Sequence, residues 1–348
     1  MVHTITISDY IRLKPVVSLI DVRTPAEFAQ GHIPGAFNVP LFSNEERVAV
    51  GTTYKKQGRE QAILLGFELT GHKWAGYIKQ ALEIAPNKKI AVHCWRGGMR
   101  SGSMAWALDL YGFEVYLISG GYKTYRTWAL DQFNHTFQLR VLGGKTGAQK
   151  TKLLKELYIL KEQVVDLEQL AQHQGSSYGT LNRMVQPTQE QFENDLAYLL
   201  SQFDPQKAIW VEDESLTIGK RCIPHGFFNQ MRNTIVICLN VPLEQRIAAL
   251  VEEYGSLEKD FLIACTERIR KRLGPEQTKN AIIALEEGRM ADFIRLVVYY
   301  YDKTYLNGLA KRNKELIFPY VTGEQESLTT IAQQLIDFAN TISAKVTV

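Results

Sequence analysis

The sequence has 348 residues, 45% of them hydrophobic and 22% charged, with a formal net charge of +3. This length accommodates two domains, and the composition is typical of globular proteins with packed cores. The small net charge does not favour nucleic-acid binding through bulk charge, so any basic surface has to be local. No stretch of about 18 apolar residues occurs, which argues against a transmembrane helix.

The N-terminus lacks a basic start followed by an apolar stretch and a small-residue cleavage site. The lack of these signal-peptide features predicts a cytoplasmic protein without a membrane partner. Cysteines occur at positions 94, 222, 238 and 265, and they form neither a CxxC pair nor a metal-like cluster with histidines. We therefore expect reduced thiols rather than a disulfide scaffold.

Residues 1–130 alternate between short apolar strands and helices, which predicts a mostly parallel sheet covered on both faces. One helix start is marked by Thr24 as N-cap, Pro25 at the first helical position and Glu27 three residues after the cap. The predicted strands are Pro15–Ile20, Lys89–His93 and Val115–Ile118, and the predicted helix after the second strand is Ser101–Tyr111.

A second strand–helix pattern begins near Thr136, and from Pro242 onward helical periodicity with many Lys and Arg dominates. The change of pattern predicts a boundary that divides the chain into domains of residues 1–132 and 133–348. The predicted strands of the second domain are Phe137–Leu142, Gln163–Asp166, Ala208–Val211 and Thr234–Leu239, and a helix is predicted over Lys150–Leu160.

Cys94 lies between a predicted strand and a predicted helix, in a loop that suits a reactive thiol. A thiol is an effective nucleophile only as thiolate, and inward-pointing N–H groups and a helix N-terminus favour that anion. Glycines permit the tight turn, and two arginines add charge. The alternative is a structural cysteine at a strand end. The candidate anion-binding residues around Cys94 are Arg96, Gly97, Gly98, Arg100 and Ser101.

The segment Gly144–Thr151 follows a predicted strand, precedes a helix and approximates the phosphate-loop pattern G-x-x-x-x-G-K-[ST]. Gln149 stands where the pattern has its second glycine, and its side chain could crowd the phosphate or restrict the backbone. We therefore expect diphosphate binding rather than efficient ATP hydrolysis. The candidate diphosphate-binding residues are Gly144, Thr146, Gly147, Lys150 and Thr151.

Acidic residues follow two of the predicted strands, where a phosphate-loop fold holds magnesium or a water molecule. The candidates for a magnesium or acid–base role are Asp166, Glu212, Asp213 and Glu214, and Glu168 is placed similarly. The alternative is a solvated acidic turn. We expect no tightly bound cofactor, and Mg²⁺ is the candidate metal ion for these acidic residues.

The first 125 or so residues contain, in this order, the segments Asp21–Arg23, Glu27–Phe28, Gly31–Ala36, Cys94–Arg100 and Gly120–Tyr122. With these segments this half of the chain resembles rhodanese domains. The succession of a rhodanese-like domain and a phosphate-loop domain resembles the bacterial tRNA 2-selenouridine synthases over nearly the whole chain. The additional matching residues are Asn44–Arg47, Val50–Thr52, Tyr54–Lys55, Gln57–Gly58, Val165–Glu168, His173, Gly175–Ser176, Gly179, Glu212–Ser215, Ile218–Gly219, Glu252–Tyr254, Lys271–Gly274 and Tyr300–Asp302.

The resemblance implies an α/β fold: a rhodanese-like parallel-sheet domain, then a P-loop NTPase-like α/β domain with a helical, basic C-terminal part. It implies a tRNA-modifying enzyme whose substrate is 2-thiouridine at the anticodon wobble position. Such enzymes are understood to geranylate the sulfur with geranyl diphosphate and then exchange the geranylthio group for selenium from selenophosphate. Cys94 could carry selenium or assist displacement at the base carbon. Gln149 departs from the family's Gly-Lys-Thr ending.

Transfer RNA requires a basic surface with aromatic platforms. The candidate tRNA-binding residues are Arg270, Lys271, Arg272, Tyr300 and Tyr301, with Lys303, Lys311, Arg312 and Lys314 as the next cluster. The alternative is a solvated helical surface with tyrosines in the core. Two competing functions stay open: a sulfurtransferase fused to an ATP-dependent kinase, and an RNA-binding module with an inactive phosphate loop.

Overall fold

The computed structural model describes residues 1–14, 16–173, 185–255, 257–323 and 326–346. Pro15 at the start of the first predicted strand, and the family-like residues Gly175, Ser176 and Gly179, lie outside these ranges. The chain forms two compact units, the first made of Met1–Gln132 with Glu190–Tyr198, the second of Phe133–Gln189 and Leu199–Val348. Across the described ranges, no helix is both long enough and apolar enough to cross a membrane.

The first unit is built on a parallel five-stranded sheet with the strand order β1-β5-β4-β2-β3. This arrangement confirms the parallel α/β fold predicted for this half. The strands are β1 (Val2–Ile5), β2 (Ser18–Asp21), β3 (Ala36–Asn38), β4 (Lys89–His93) and β5 (Glu114–Ile118). The helices are α1 (Ile7–Leu13), α2 (Pro25–Gln30), α3 (Asn44–Gln57), α4 (Arg59–Thr70), α5 (Trp74–Ile84), α6 (Met99–Leu110) and α7 (Gly121–Gln132).

The central strands β2 and β4 are apolar because both of their faces are covered. Leu19, Ile20, Ile90 and Val92 are completely buried in the core. The carboxyl ends of parallel strands meet at one edge of a sheet, so the residues that follow β2 and β4 are brought together there. The buried polar residues Asp21, Arg23 and His93, and the thiol of Cys94, all lie at these strand ends.

The second unit also has a parallel five-stranded sheet, ordered β12-β11-β6-β8-β7. Its strands are β6 (Leu139–Gly144), β7 (Gln163–Val165), β8 (Ile209–Glu212), β11 (Val236–Asn240) and β12 (Ile317–Val321), and β9 (Thr217–Ile218) pairs with β10 (Arg221–Cys222). The helices are α8 (Lys150–Ile159), α9 (Leu167–Ala171), α10 (Gln189–Ser201), α11 (His225–Arg232), α12 (Leu243–Tyr254), α13 (Lys259–Arg268), α14 (Arg270–Leu273), α15 (Pro275–Glu286), α16 (Met290–Leu309) and α17 (Leu328–Val346), and Lys314–Leu316 forms a 3-10 helix.

Strand β6 occupies the middle of this sheet, with β8 on one side and β11 on the other. The loop after β6 therefore opens at a point where neighbouring connections diverge, which is where open α/β sheets bind ligands. The predicted helical C-terminal part is confirmed: α12 to α16 pack around a core that includes Ile247, Leu262 and Phe293. Strand β12, at the edge of the sheet, was not predicted, because Pro319 lowers its strand signal.

Helix α10 contributes most of its length to the first unit, although the sequence analysis assigned this segment to the second domain. The Tyr122 hydroxyl donates a hydrogen bond to Glu190 Oε1 at 2.5 Å. Asn194 donates to the carbonyl oxygen of His32 at 3.0 Å and its own carbonyl accepts from Tyr125 at 3.1 Å. These long-range polar contacts have no periodic signature, so sequence patterning did not indicate them.

Candidate active-site loops

The Cys94 thiol lies directly after β4 and is only 4% exposed. The Ser101 hydroxyl donates a hydrogen bond to Cys94 Sγ at 3.2 Å from the first turns of α6. Burial raises the pKa of the thiol, but the hydroxyl and N–H of Ser101, the N–H of Arg96 and the charge of Arg100 outweigh burial. The net pKa is lowered, which favours the thiolate that nucleophilic chemistry needs.

Two glycines allow the turn after β5 to pack against the cysteine loop. Gly97 has a φ of 67°, and a Cβ there would approach the Ile118 carbonyl at 3.0 Å. Gly121 has a φ of 59°, and its Cβ would lie 2.6 Å from the Gly97 nitrogen. Gly98 has a φ of −95° and open space around it, so a side chain could be accommodated there. Of Gly97 and Gly98, only Gly97 is required by the turn.

Arg100, one of the predicted anion-binding residues, forms an ion pair with Glu27. Its guanidinium donates two hydrogen bonds to the Glu27 carboxylate, at 2.7 and 3.2 Å. Glu27 also accepts from the N–H of Thr24, in the capping box that the sequence predicted for α2. The Arg96 side chain is exposed. Arg96 and the N–H groups of the loop are therefore the donors best placed to receive an anionic substrate.

A buried polar cluster supports the loop from the strand ends. Arg23 pairs with Asp21 at 2.6 Å, and its guanidinium lies 3.8 Å from the centre of the Tyr122 ring. His93 Nδ1 lies 3.2 Å from the Cys94 carbonyl oxygen, and Nε2 lies 3.6 Å from Asp21 Oδ2. Desolvation lowers the pKa of His93, which favours the neutral ring. His93 was not among the predicted site residues, although its position directly before Cys94 was a usable signal.

The phosphate loop keeps its expected backbone path in spite of Gln149. Gln149 has a φ of 58° and a ψ of 29°, in the left-handed region that glycine adopts without strain. Gln149 therefore does not block the turn, because it adopts the conformation that glycine would take. For a residue with a side chain this conformation costs about 1–2 kcal/mol. Gly147 also has a positive φ, of 82°. The loop therefore leads from β6 into α8 as the motif predicts.

Lys150 lies at the start of α8 with its side chain 15% exposed. Its Nζ donates to the Gly144 carbonyl at 3.2 Å and lies 3.3 Å from Glu212 Oε1. Desolvation lowers the pKa of this amine, but the carboxylates of Glu212, Glu214 and Glu168 outweigh it and raise the pKa overall. The ammonium is therefore charged at neutral pH and can meet a phosphate oxygen.

Three carboxylates converge beside the loop. Oxygen atoms of Glu168, Glu212 and Glu214 lie within 4.8 Å of one another, and Thr151 donates to Glu168 at 3.3 Å. Burial and the neighbouring Glu212 raise the pKa of Glu168 to about 8. Glu212 is 3% exposed, and its Oε2 has no hydrogen-bond partner in the part of the chain that the structure describes. Hard oxygen ligands with an unsatisfied buried oxygen fit a divalent cation such as Mg²⁺.

Two of the predicted magnesium or acid–base residues have other roles. Asp166 caps α9, because its side chain accepts a hydrogen bond from the Gln169 N–H at 2.8 Å. Asp213 is paired with Arg312 and lies 3.7 Å from Arg232. Of the predicted residues, Glu212 and Glu214 lie together, and Glu168, which follows its own strand in the same way as Asp166, joins them.

The basic C-terminal residues divide into exposed and buried ones. Arg270, Lys271 and Arg272 are all exposed on α14. The rings of Tyr300 and Tyr301 lie 5.1 Å apart, and Tyr301 packs against the helical core. Arg312, in the second predicted cluster, is buried because it pairs with Asp213 and donates to the Met231 carbonyl. An RNA surface in this region would therefore rely on α14 and the exposed lysines rather than on Arg312.

The sequence of this chain matches two family models. Residues 137–337 match the tRNA 2-selenouridine synthase AAA domain, and residues 8–127 match the rhodanese-like domain. A tRNA 2-selenouridine synthase of Nitrosomonas europaea is 34% identical over 348 residues, which cover 84% of this chain and 89% of the relative. A tRNA 2-selenouridine synthase of Marinobacter nauticus is 35% identical over 360 residues, covering 91% and 94%.

One solved structure is also similar. The crystal structure of the N-terminal domain of a Clostridium difficile 630 protein, described there as ATP/GTP binding, is 44% identical. It covers 37% of this chain and 99% of that chain, with a TM-score of 0.35. On the family model over residues 137–337 and the relatives that match most of its length, this chain belongs to the tRNA 2-selenouridine synthase family.

Proposed function

We propose that this chain is a transferase that converts 2-thiouridine at the tRNA wobble position into 2-selenouridine, through an S-geranyl intermediate. The observation that supports the proposal is that a chain of this family carries two loops whose chemistry suits anions. One holds the Cys94 thiol with a lowered pKa, and the other holds the charged Lys150. The first loop suits a thiolate in selenium transfer, and the second suits a diphosphate leaving group.

In the geranyl step, the sulfur of 2-thiouridine attacks the first carbon of geranyl diphosphate and the carbon–oxygen bond breaks. The electron pair leaves with diphosphate, and the nucleobase releases its N3 proton. The N–H groups of Gly147, Lys150 and Thr151 and the Lys150 ammonium stabilise the charge that develops on the leaving group. When Mg²⁺ is bound, Glu168, Glu212 and Glu214 would hold it, and it would neutralise part of the diphosphate charge.

The selenium step requires no net oxidation or reduction, because selenium is at the level of selenide both in selenophosphate and in 2-selenouridine. An S–Se bond to Cys94 would place selenium two electrons higher and would require a separate reductant. We therefore assign Cys94 to the displacement at the base carbon. Its thiolate adds to that carbon and the geranylthiol leaves with a proton. Selenophosphate then displaces Cys94, and water cleaves the selenium–phosphorus bond to release phosphate.

Nucleoside mass spectrometry tests the proposal. The full chain is incubated with thiolated tRNA, geranyl diphosphate and selenophosphate. We expect geranylthio- and selenouridine from the parent, and only the geranylated nucleoside from Cys94→Ala. Cys222→Ala, which changes a partly exposed cysteine on β10, is the matched control and should behave as the parent. Selenation by Cys94→Ala at the parental rate would remove Cys94 from the mechanism, and unmodified tRNA with the parent would contradict the function.

A sulfurtransferase fused to an ATP-dependent kinase is the second candidate. The observation that favours it is the carboxylate cluster beside Thr151, because such a cluster also suits a magnesium nucleotide. A kinase would turn over ATP in the absence of tRNA. Phosphate release from ATP without tRNA, together with unmodified tRNA in the nucleoside assay, would favour this second candidate over the first.

A further inference from the structure

Helix α16 contacts the phosphate loop through Tyr305. The Tyr305 hydroxyl accepts a hydrogen bond from the Gly144 N–H at 2.8 Å. A Cβ on Gly143 would lie 2.7 Å from that hydroxyl, so glycine at this position lets the side chain reach the backbone. Burial raises the pKa of Tyr305, so the phenol is protonated at neutral pH. The first N–H of the loop is therefore fixed by a helix distant in sequence.

Helix α12 contacts the next part of the loop through Arg246. This side chain is 3% exposed, and it donates to the Thr146 carbonyl oxygen at 3.0 Å. Its guanidinium also forms a bidentate pair with Asp302 of α16, at 2.9 and 2.8 Å. In a trans peptide the C=O and the following N–H point in opposite directions. Fixing the Thr146 carbonyl therefore also fixes the direction of the Gly147 N–H, a candidate phosphate donor.

We propose that Tyr305 and the Arg246–Asp302 pair are positioning residues that hold the phosphate loop in its anion-binding shape. The two contacts lie on the N-terminal side of Gln149, whose left-handed conformation is strained for a residue with a side chain. A loop with such a residue has alternative backbone conformations of similar energy. The external hydrogen bonds select the one in which the N–H groups are arranged for an anion, and such preorganisation increases affinity.

The inference rests on the proposed function in taking a diphosphate as the ligand, so the probe is inorganic pyrophosphate. Its dissociation constant is measured by calorimetry on the full chain and its variants. Tyr305→Phe keeps the ring but removes the acceptor for the Gly144 N–H. Arg246→Lys keeps the charge but removes the guanidinium that bonds both Thr146 and Asp302. We expect each variant to raise the dissociation constant about tenfold. The matched controls, Tyr158→Phe and Arg289→Lys, change exposed side chains and should bind as the parent.

A second readout separates positioning from general support of the fold. In a Gln149→Gly background the loop is relaxed, so the loss from Tyr305→Phe should shrink to about twofold or less, a non-additivity that a double-mutant cycle measures. Over a range of geranyl diphosphate concentrations, Tyr305→Phe should lower kcat/KM, because fewer loop N–H groups are held for the diphosphate in both the bound substrate and the transition state.

The outcomes are distinguishable. If the parent does not bind pyrophosphate, the diphosphate role of the loop fails, and the inference fails with it. If the parent binds and Tyr305→Phe and Arg246→Lys bind equally well, the positioning inference is overturned while the proposed function stands. Equal losses from Tyr305→Phe in the parental and Gln149→Gly backgrounds would overturn the link between these contacts and the strained residue.

Discussion

Replacing Gln149 by glycine should stabilise the second unit. The residue has a φ of 58° and a ψ of 29°, and its side chain makes no capping hydrogen bond to α8, so no cap is lost. Relief of the left-handed strain contributes about 1–2 kcal/mol. The greater freedom of glycine in the unfolded chain offsets about 0.5–1 kcal/mol of this gain. The net expectation is a stabilisation of about 1 kcal/mol.

The assay is thermal unfolding of the full chain, monitored by calorimetry. For a unit of this size, about 1 kcal/mol corresponds to a rise in Tm of roughly 2–4 °C. Lys161→Gly is the matched control, because Lys161 also has a left-handed φ, of 68°, but lies beyond the end of α8. Lys161→Gly should raise Tm similarly, but it should not reduce the loss of pyrophosphate affinity that Tyr305→Phe causes. If Lys161→Gly raises Tm while Gln149→Gly lowers it or leaves it unchanged, Gln149 is not strained as the structure indicates.

Three further results are expected. Ser101→Ala should raise the pKa of Cys94, so the pH at which iodoacetamide alkylation becomes fast should move upward; an unchanged profile would refute the role of the hydroxyl. Lys150→Ala should weaken pyrophosphate binding roughly ten- to a hundredfold, or about 1.5–3 kcal/mol, and parental affinity would show that the loop does not bind diphosphate. Joint replacement of Arg270, Lys271 and Arg272 by Ala should weaken tRNA binding and flatten its salt dependence; parental binding at every salt concentration would place the RNA surface elsewhere, with the exposed Lys303, Lys311 and Lys314 next.

Local signals in the sequence predicted some elements correctly but not the contacts that join distant parts of the chain. Strand β4 has the predicted bounds, Lys89–His93, and the capping box at Thr24 is present. The pair between Arg100 and Glu27 joins positions 73 residues apart, and no periodicity indicates it. Because a free arginine and a paired one have the same sequence signature, the charge available to an anion at Cys94 could not be predicted.

The acidic residues at the end of β8 were predicted as one group, and the structure divides them. Glu212 is the last residue of β8, and beyond it the Glu214 N–H donates to the Glu212 carbonyl at 2.8 Å in a tight turn. Glu212 and Glu214 meet in the carboxylate cluster beside Lys150, whereas Asp213 pairs with Arg312. A turn of this kind has no periodic signature, so the sequence did not separate Asp213 from its neighbours. Glu168 comes from a different strand end, so its place in the cluster required the order of the sheet.

Each unit places its reactive loop after a central parallel strand, and in each a basic residue at the loop is paired with a carboxylate. Arg100 is paired with Glu27, and Lys150 with Glu212. Among the groups that lower the pKa of Cys94, the Ser101 hydrogen bonds act more strongly than the Arg100 charge. Hydrogen-bond dipoles therefore contribute to anion stabilisation at the thiol. Because dipoles that are already oriented need little reorganisation when charge develops, such loops at strand ends suit both proposed steps.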